Sequence, residues 1–231
     1  MKLEVTTYGN PEAQTLLIQM VDDHDLEGIE KEVALIKELS GGRDFCLKAI
    51  KVGSWNGDLS PWPAPAVFGN EDFGDGAGET LKFVLEVIDD CVNAGESAGD
   101  NALKEDAAGS KKGSKKVFLG GYSLAGLFAL WAGYQTDRFA GIAAASPSIW
   151  FPGFVDYMRE NSVRTGAVYL SLGDREERTR NPVMSKVGDA IREGSDILSN
   201  SGVKCTLEWN KGNHFKDAEL RTAKGFAWVM Q

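Results

Sequence analysis

The run Val117-Phe118-Leu119-Gly120-Gly121-Tyr122-Ser123-Leu124-Ala125-Gly126-Leu127-Phe128 constrains this chain more than any other stretch. It reads as a buried strand, a glycine-framed serine and an apolar helix. A sharp strand-to-helix turn of that kind holds a serine hydroxyl exposed at its tip, the arrangement called a nucleophile elbow. The turn is crowded, so small residues must flank the serine. Gly121 lies before it, and Ala125 and Gly126 after it. The usual spacing is G-x-S-x-G, and this chain carries alanine at the final glycine position. A serine so placed has the next backbone N–H, that of Leu124, beside its oxygen and a helix N-terminus beneath it. Both favour negative charge developing on a carbonyl oxygen.

Partners for the serine follow by elimination, because the chain holds only two histidines. In folds that carry such an elbow, the serine comes first in the chain, the acid second and the histidine last. His24 precedes the serine and sits in the acidic run Asp22-Asp23-His24-Asp25, which favours a charged, solvated ring. His214 follows the serine, in a loop between the strand-like Lys204-Cys205-Thr206-Leu207-Glu208-Trp209 and a terminal helix. It is the candidate base. The acid is expected after the strand Ala167-Val168-Tyr169-Leu170-Ser171-Leu172-Gly173, where Asp174, Glu176 and Glu177 compete. An acid needs a few residues of loop to turn back toward the histidine. That favours Glu176 over Asp174, with Glu177 third.

Composition excludes some classes of partner. The net charge of −9 and pI near 4.9 argue against general nucleic-acid binding. Cys46, Cys91 and Cys205 lie far apart with no metal-ligand spacing, so no metal or organic cofactor is expected. Their odd number and the absence of a long apolar N-terminal run point to a reducing cytoplasm. No stretch is long and apolar enough to predict a membrane span. A chain of 231 residues can form one domain, expected here over residues 1–231. Oligomeric state is not legible.

Along the chain, strand patterns alternate with helix patterns. Leu16–Val21 reads as a buried strand, Leu26–Leu39 as an amphipathic helix, Phe45–Val52 as a strand and Thr80–Val92 as a helix. The elbow, Ile142–Ser146 as a strand, the acid strand, a helix over 182–200, the histidine strand and a last helix follow. That order predicts a mainly parallel central sheet with helices on both faces. Ligands in such sheets bind at the carboxyl ends of the strands, where the candidate serine, acid and histidine all fall. Residues 93–116, rich in Gly, Ser, Asp and Lys, read as a flexible surface insertion. The stretch Trp55–Phe68 holds two tryptophans and three prolines outside any helical pattern. Aromatic residues on a stiff loop can wall a pocket, so Trp55 and Trp62 are candidate substrate contacts, with Tyr122 beside the serine.

The chain resembles the esterase group of α/β hydrolases, similar to enterochelin (siderophore) esterases and the esterase D type. The resemblance rests on Gly121-Tyr122-Ser123-Leu124-Ala125-Gly126, Asp58-Leu59-Ser60-Pro61-Trp62-Pro63, Ser171-Leu172-Gly173-Asp174-Arg175-Glu176-Glu177 and Gly212-Asn213-His214. It implies an α/β-hydrolase fold and hydrolysis of a small-molecule acyl ester. In that group the acid stands three residues after the glycine, which matches Glu176. The departures are Ala125 at the elbow and Asp22-Asp23-His24-Asp25 in place of a His-Gly oxyanion loop. The implied mechanism has His214 take the Ser123 proton, Glu176 orient the imidazole, and an oxyanion held by Leu124 N–H and one N–H from Met20 to Asp23, with Asp22 the candidate. A serine peptidase or acyltransferase would use the same residues, and the other alternative is a non-catalytic binding protein with a relic site.

Overall fold

A computed structural model describes residues 3–67, 69–97 and 115–231. Its elements, in chain order, are β1 (Glu4–Gly9), β2 (Thr15–Val21), α1 (Asp23–Leu39), β3 (Cys46–Lys51), α2 (Trp55–Leu59), α3 (Ala77–Ser97), β4 (Lys116–Tyr122), α4 (Ser123–Gln135) and β5 (Gly141–Ala145). They continue as α5 (Phe154–Glu160), β6 (Ala167–Gly173), a 3-10 turn (Met184–Lys186), α6 (Val187–Asn200), β7 (Lys204–Asn210) and α7 (Ala218–Val229). The seven strands form one sheet in the order β1-β3-β2-β4-β5-β6-β7. β1 runs antiparallel on the β3 edge, and every other pairing is parallel.

Strand alternation feeds two apolar layers. In β2, Leu16, Ile18 and Met20 join the layer beneath α3, α4, α5 and α6. Leu17 and Val21 join the opposite layer with Ile29 and Ile36 of α1 and Phe226 of α7. After β2 the chain steps outward to β3, then returns to place β4 on the other side of β2. The carboxyl ends of β2 and β4 therefore flank a topological switch point, the place where open α/β sheets bind ligands. Residues 22 and 123 stand at its two lips.

Several element boundaries differ from the sequence expectation, each for a local reason. α1 starts at Asp23 rather than Leu26, because Asp22 and Asp25 form a reciprocal capping box. Trp55–Leu59 is helical rather than irregular: the Ser54 hydroxyl accepts the Gly57 N–H at 3.0 Å, and the Asp58 carboxylate accepts those of Gly53 and Ser54, each at 2.9 Å. The expected helix over 182–200 begins as a 3-10 turn, opened by the Asn181 side chain, which accepts the Val183 and Met184 N–H groups. Asn93–Ser97, assigned to the insertion, extends α3. Residues 98–114 of that expected insertion, and Phe68, lie outside the described residues. No described helix is long and apolar enough to cross a membrane.

Gln19 and Glu32 are buried polar residues between β2 and α1. Burial, then the neighbouring Asp25 charge, pushes the Glu32 carboxyl well above its usual range. Among the described residues, neither Gln19 Oε1 nor Glu32 Oε1 has a hydrogen-bond partner. A carboxyl with a raised folded pKa keeps a proton that the unfolded chain releases above its ordinary value. Its contribution to stability is therefore full in acid and lost as pH rises. Glu32→Gln is expected to raise Tm at pH 8 by a few degrees, where about 1 kcal/mol moves Tm by roughly 2–4 °C. The gain should vanish near pH 4. Thermal unfolding across pH checks this, and a variant less stable at pH 8 would contradict it.

Candidate active site

Ser123 sits between β4 and α4 at φ 57°, a left-handed conformation uncommon for a side-chain-bearing residue. The turn closes because Gly121 lacks a side chain: a Cβ there would stand 2.7 Å from Ala125 Cβ. The methyl of Ala125, where a glycine was the usual residue, is thus accommodated by Gly121. Ser123 opens a helix whose leading N–H groups have no intrahelical acceptor, Leu124 N–H among them.

His214 arrives from the loop after β7. Its Nε2 lies 3.0 Å from Ser123 Oγ, and its Nδ1 lies 2.7 Å from Glu176 Oε2. Glu176 comes from the loop after β6 and is buried. Its second oxygen, Oε1, accepts the Gly173 N–H at 2.7 Å, the Ser146 hydroxyl at 2.9 Å and Arg221 Nη1 at 2.8 Å. Burial alone would raise its pKa. Hydrogen bonding to His214 and the His214 charge, with the bonds from Gly173 and Ser146, outweigh burial and hold the carboxyl below its ordinary value. The two competing carboxylates are engaged elsewhere. Exposed Asp174 accepts the Gly212 N–H at 2.9 Å, and Glu177 pairs with Arg192 at 3.2 Å. His24 is exposed on the first turn of α1, 3.7 Å from Glu27.

Arg221, on α7, belongs to the site although no motif in the sequence marks it. Only 1% exposed, it donates to Glu176 as above, to Tyr122 Oη at 3.0 Å, to Ser146 Oγ at 3.2 Å and to the Asn213 carbonyl at 2.9 Å. Tyr122 in turn donates to the His214 carbonyl at 2.7 Å. Burial first, and the Glu176 charge in the same direction, push the Tyr122 phenol up to about 12, so it stays protonated as a donor. Arg221 thereby ties the acid to the histidine loop. The one sequence signal for it is a cation on the buried face of the last helix, four residues before Gly225.

The acid and histidine loops are also stitched through their backbones. Asp174 N–H donates to Asn210 O at 2.8 Å, and Arg175 N–H to Gly212 O at 3.1 Å. A Cβ on Gly173 would stand 2.5 Å from Gly212 O and 2.9 Å from Glu176 Oε1. Gly173→Ala is expected to push the two loops apart and to lower kcat/KM for an ester substrate by about 100-fold, the usual cost of misplacing catalytic groups by roughly 1 Å. Steady-state kinetics beside a Tm measurement checks this; wild-type kinetics would contradict it.

A cavity of about 440 Å³ opens over Ser123 and His214, with Trp150, Met184 and Phe215 among its walls. Trp55, Trp62 and Tyr122 do not line it. Trp62 donates its indole N–H to the Pro152 carbonyl at 2.9 Å and packs among Phe151, Phe154 and Tyr157, while Trp55 packs against the core. Tyr122 lies under the histidine loop. The N–H of Asp22 donates to the Asp25 carboxylate at 3.1 Å, as part of the α1 cap. Among the described residues, no group of three or more His, Cys, Asp or Glu side chains is arranged to hold a metal ion.

No protein-family model and no curated protein sequence matches the chain. Solved structures do. An IroE-like serine hydrolase from Shewanella oneidensis superimposes with a TM-score of 0.72 at 16% identity, over 98% of this chain and 75% of that one. A siderophore hydrolase, EstA, from Aspergillus nidulans gives 0.67 at 19% identity, over 98% and 88%. An enterobactin esterase from Shigella flexneri gives 0.62 at 14% identity, over 99% of this chain and 55% of that one. The chain has the α/β-hydrolase fold.

Proposed function

We propose that this chain is a serine hydrolase that cleaves a small-molecule carboxylic ester through an acyl-enzyme, as one catalytic domain. The observation that carries the reading is the continuous set of contacts from Ser123 Oγ to His214 Nε2 at 3.0 Å and from His214 Nδ1 to Glu176 Oε2 at 2.7 Å. It stands at the carboxyl ends of the strands, on a fold shared with proteins described as serine hydrolases and esterases.

Ser123 Oγ attacks the ester carbonyl carbon while His214 Nε2 takes its proton. The carbonyl oxygen becomes an oxyanion beside Leu124 N–H, and each such donor supplies about 3–4 kcal/mol at the transition state. Imidazolium then gives its proton to the departing alkoxide, and the alcohol leaves an acyl-Ser123. Water, deprotonated by His214, attacks that acyl carbon; the C–O bond to Ser123 breaks, and serine recovers its proton. Glu176 stays ionised throughout and stabilises the imidazolium. Asp22 N–H is the candidate second oxyanion donor only if it leaves Asp25, so Leu124 N–H is the firmer assignment.

The test is hydrolysis of 4-nitrophenyl acetate, followed by stopped flow. A burst of 4-nitrophenolate equal to the enzyme concentration, before steady turnover, supports the acyl-enzyme. Wild-type protein with no hydrolysis above buffer would overturn the reading.

A further inference from the structure

The cavity over Ser123 is not uniformly apolar. Arg175 and Arg178 line it together with Trp150, Met184 and Phe215. Both arginines are exposed, and neither belongs to an ion pair among the described residues. Of the nearby guanidiniums, Arg192 is held by Glu177 and Arg221 by Glu176, while exposed Arg180 does not line the cavity. Of the carboxylates of the same loop, Glu176 is engaged within the site, and Asp174 accepts the Gly212 N–H while its charge stays within electrostatic reach of Arg175 and Arg178 without a direct ion pair to either. A chain of net charge −9 thus places two arginines, with no direct ion pair among the described residues, on the wall of the cavity that holds its candidate nucleophile.

We infer that the preferred substrate is an ester bearing a carboxylate, or another anionic oxygen group, a few bonds from the scissile carbonyl. The inference rests on the esterase reading above and adds to it the charge of the substrate. A guanidinium presents paired N–H donors that match carboxylate or phosphate oxygens. The aromatic and thioether walls take the hydrocarbon between the anion and the ester. Two cations at the mouth of a cavity in an acidic protein also focus the local potential and steer anions inward. Both effects fall with added salt, because the arginines are solvent-exposed.

The experiment compares mono-4-nitrophenyl adipate with 4-nitrophenyl hexanoate, which share chain length and leaving group. The readout is the ratio of their kcat/KM values, taken within each protein so that any general loss of activity cancels. The wild type is expected to favour the anionic ester by about 10-fold at low ionic strength, the size of a charge-assisted hydrogen bond at an exposed site. The ratio should fall in 1 M NaCl. It should approach unity in the Arg175→Gln/Arg178→Gln double variant and take intermediate values in each single variant and in the double lysine variant. A wild-type ratio at or below unity overturns the inference and leaves the esterase reading standing. So does a preference that survives loss of both arginines. A wild type that cleaves neither ester overturns both.

Discussion

Ser123→Ala is expected to lower kcat/KM for ester hydrolysis by about 10⁴- to 10⁶-fold, the range seen when a nucleophile that acts with its base and acid is removed. Among the described residues its hydroxyl has one hydrogen-bonding partner, His214 Nε2 at 3.0 Å, and the side chain is only partly buried, so the fold should survive. His214→Ala should cost nearly as much, and the double variant scarcely more, because the two residues act as a unit. His24→Ala should change little: that ring is exposed and, among the described residues, its one ion pair is with Glu27. Initial rates beside circular dichroism check the set. Activity retained by a folded Ser123→Ala protein, or a larger loss from His24→Ala than from His214→Ala, would contradict it.

Glu176→Gln is expected to lower kcat on the order of 10⁴-fold, through loss of the imidazole tautomer and of the charge that stabilises imidazolium. It should also weaken the fold. Arg221 would then be a buried cation without its carboxylate, a defect that costs about 3–5 kcal/mol. Asp174→Asn and Glu177→Gln should each cost far less, since neither carboxylate touches His214. The pH dependence carries a sign. Because the folded Glu176 pKa lies below its ordinary value, its contribution to stability is complete above that ordinary value near 4.5 and is lost as pH falls through the folded one. Wild type should therefore lose stability below pH 4.5 more steeply than Glu176→Gln. Parallel acid-unfolding curves, or a ranking that puts Asp174→Asn first, would move the acid role away from Glu176.

The layered sheet is legible in this chain because its inner strands β2, β4, β5 and β6 are near-continuous apolar runs and its longer amphipathic helices keep a helical period. Helix starts are less so. Asp22 and Ser54 cap α1 and α2 with side-chain bonds that hydrophobic periodicity does not register. In the candidate site, Ser123 is legible through a local turn that tolerates few sequences, and His214 through the scarcity of histidine. Glu176 is legible only as one of three carboxylates; what separates them is tertiary. Glu176 folds under Arg221, Ser146 and Gly173, contacts that no spacing along the chain encodes. The cavity walls fail to show for the same reason. Trp150, Met184 and Phe215 converge from three separate segments, while the more conspicuous Trp62 is held by the Pro152 carbonyl and neighbouring aromatic rings.

The central claim is that Ser123 is a nucleophile activated by His214. The most direct measurement is intact-mass spectrometry after treatment with a fluorophosphonate, with the adduct located by peptide mapping. The account predicts one adduct per chain, on Ser123, absent in Ser123→Ala and strongly slowed in His214→Ala. An unlabelled wild-type protein, or an adduct on any other residue, would contradict it.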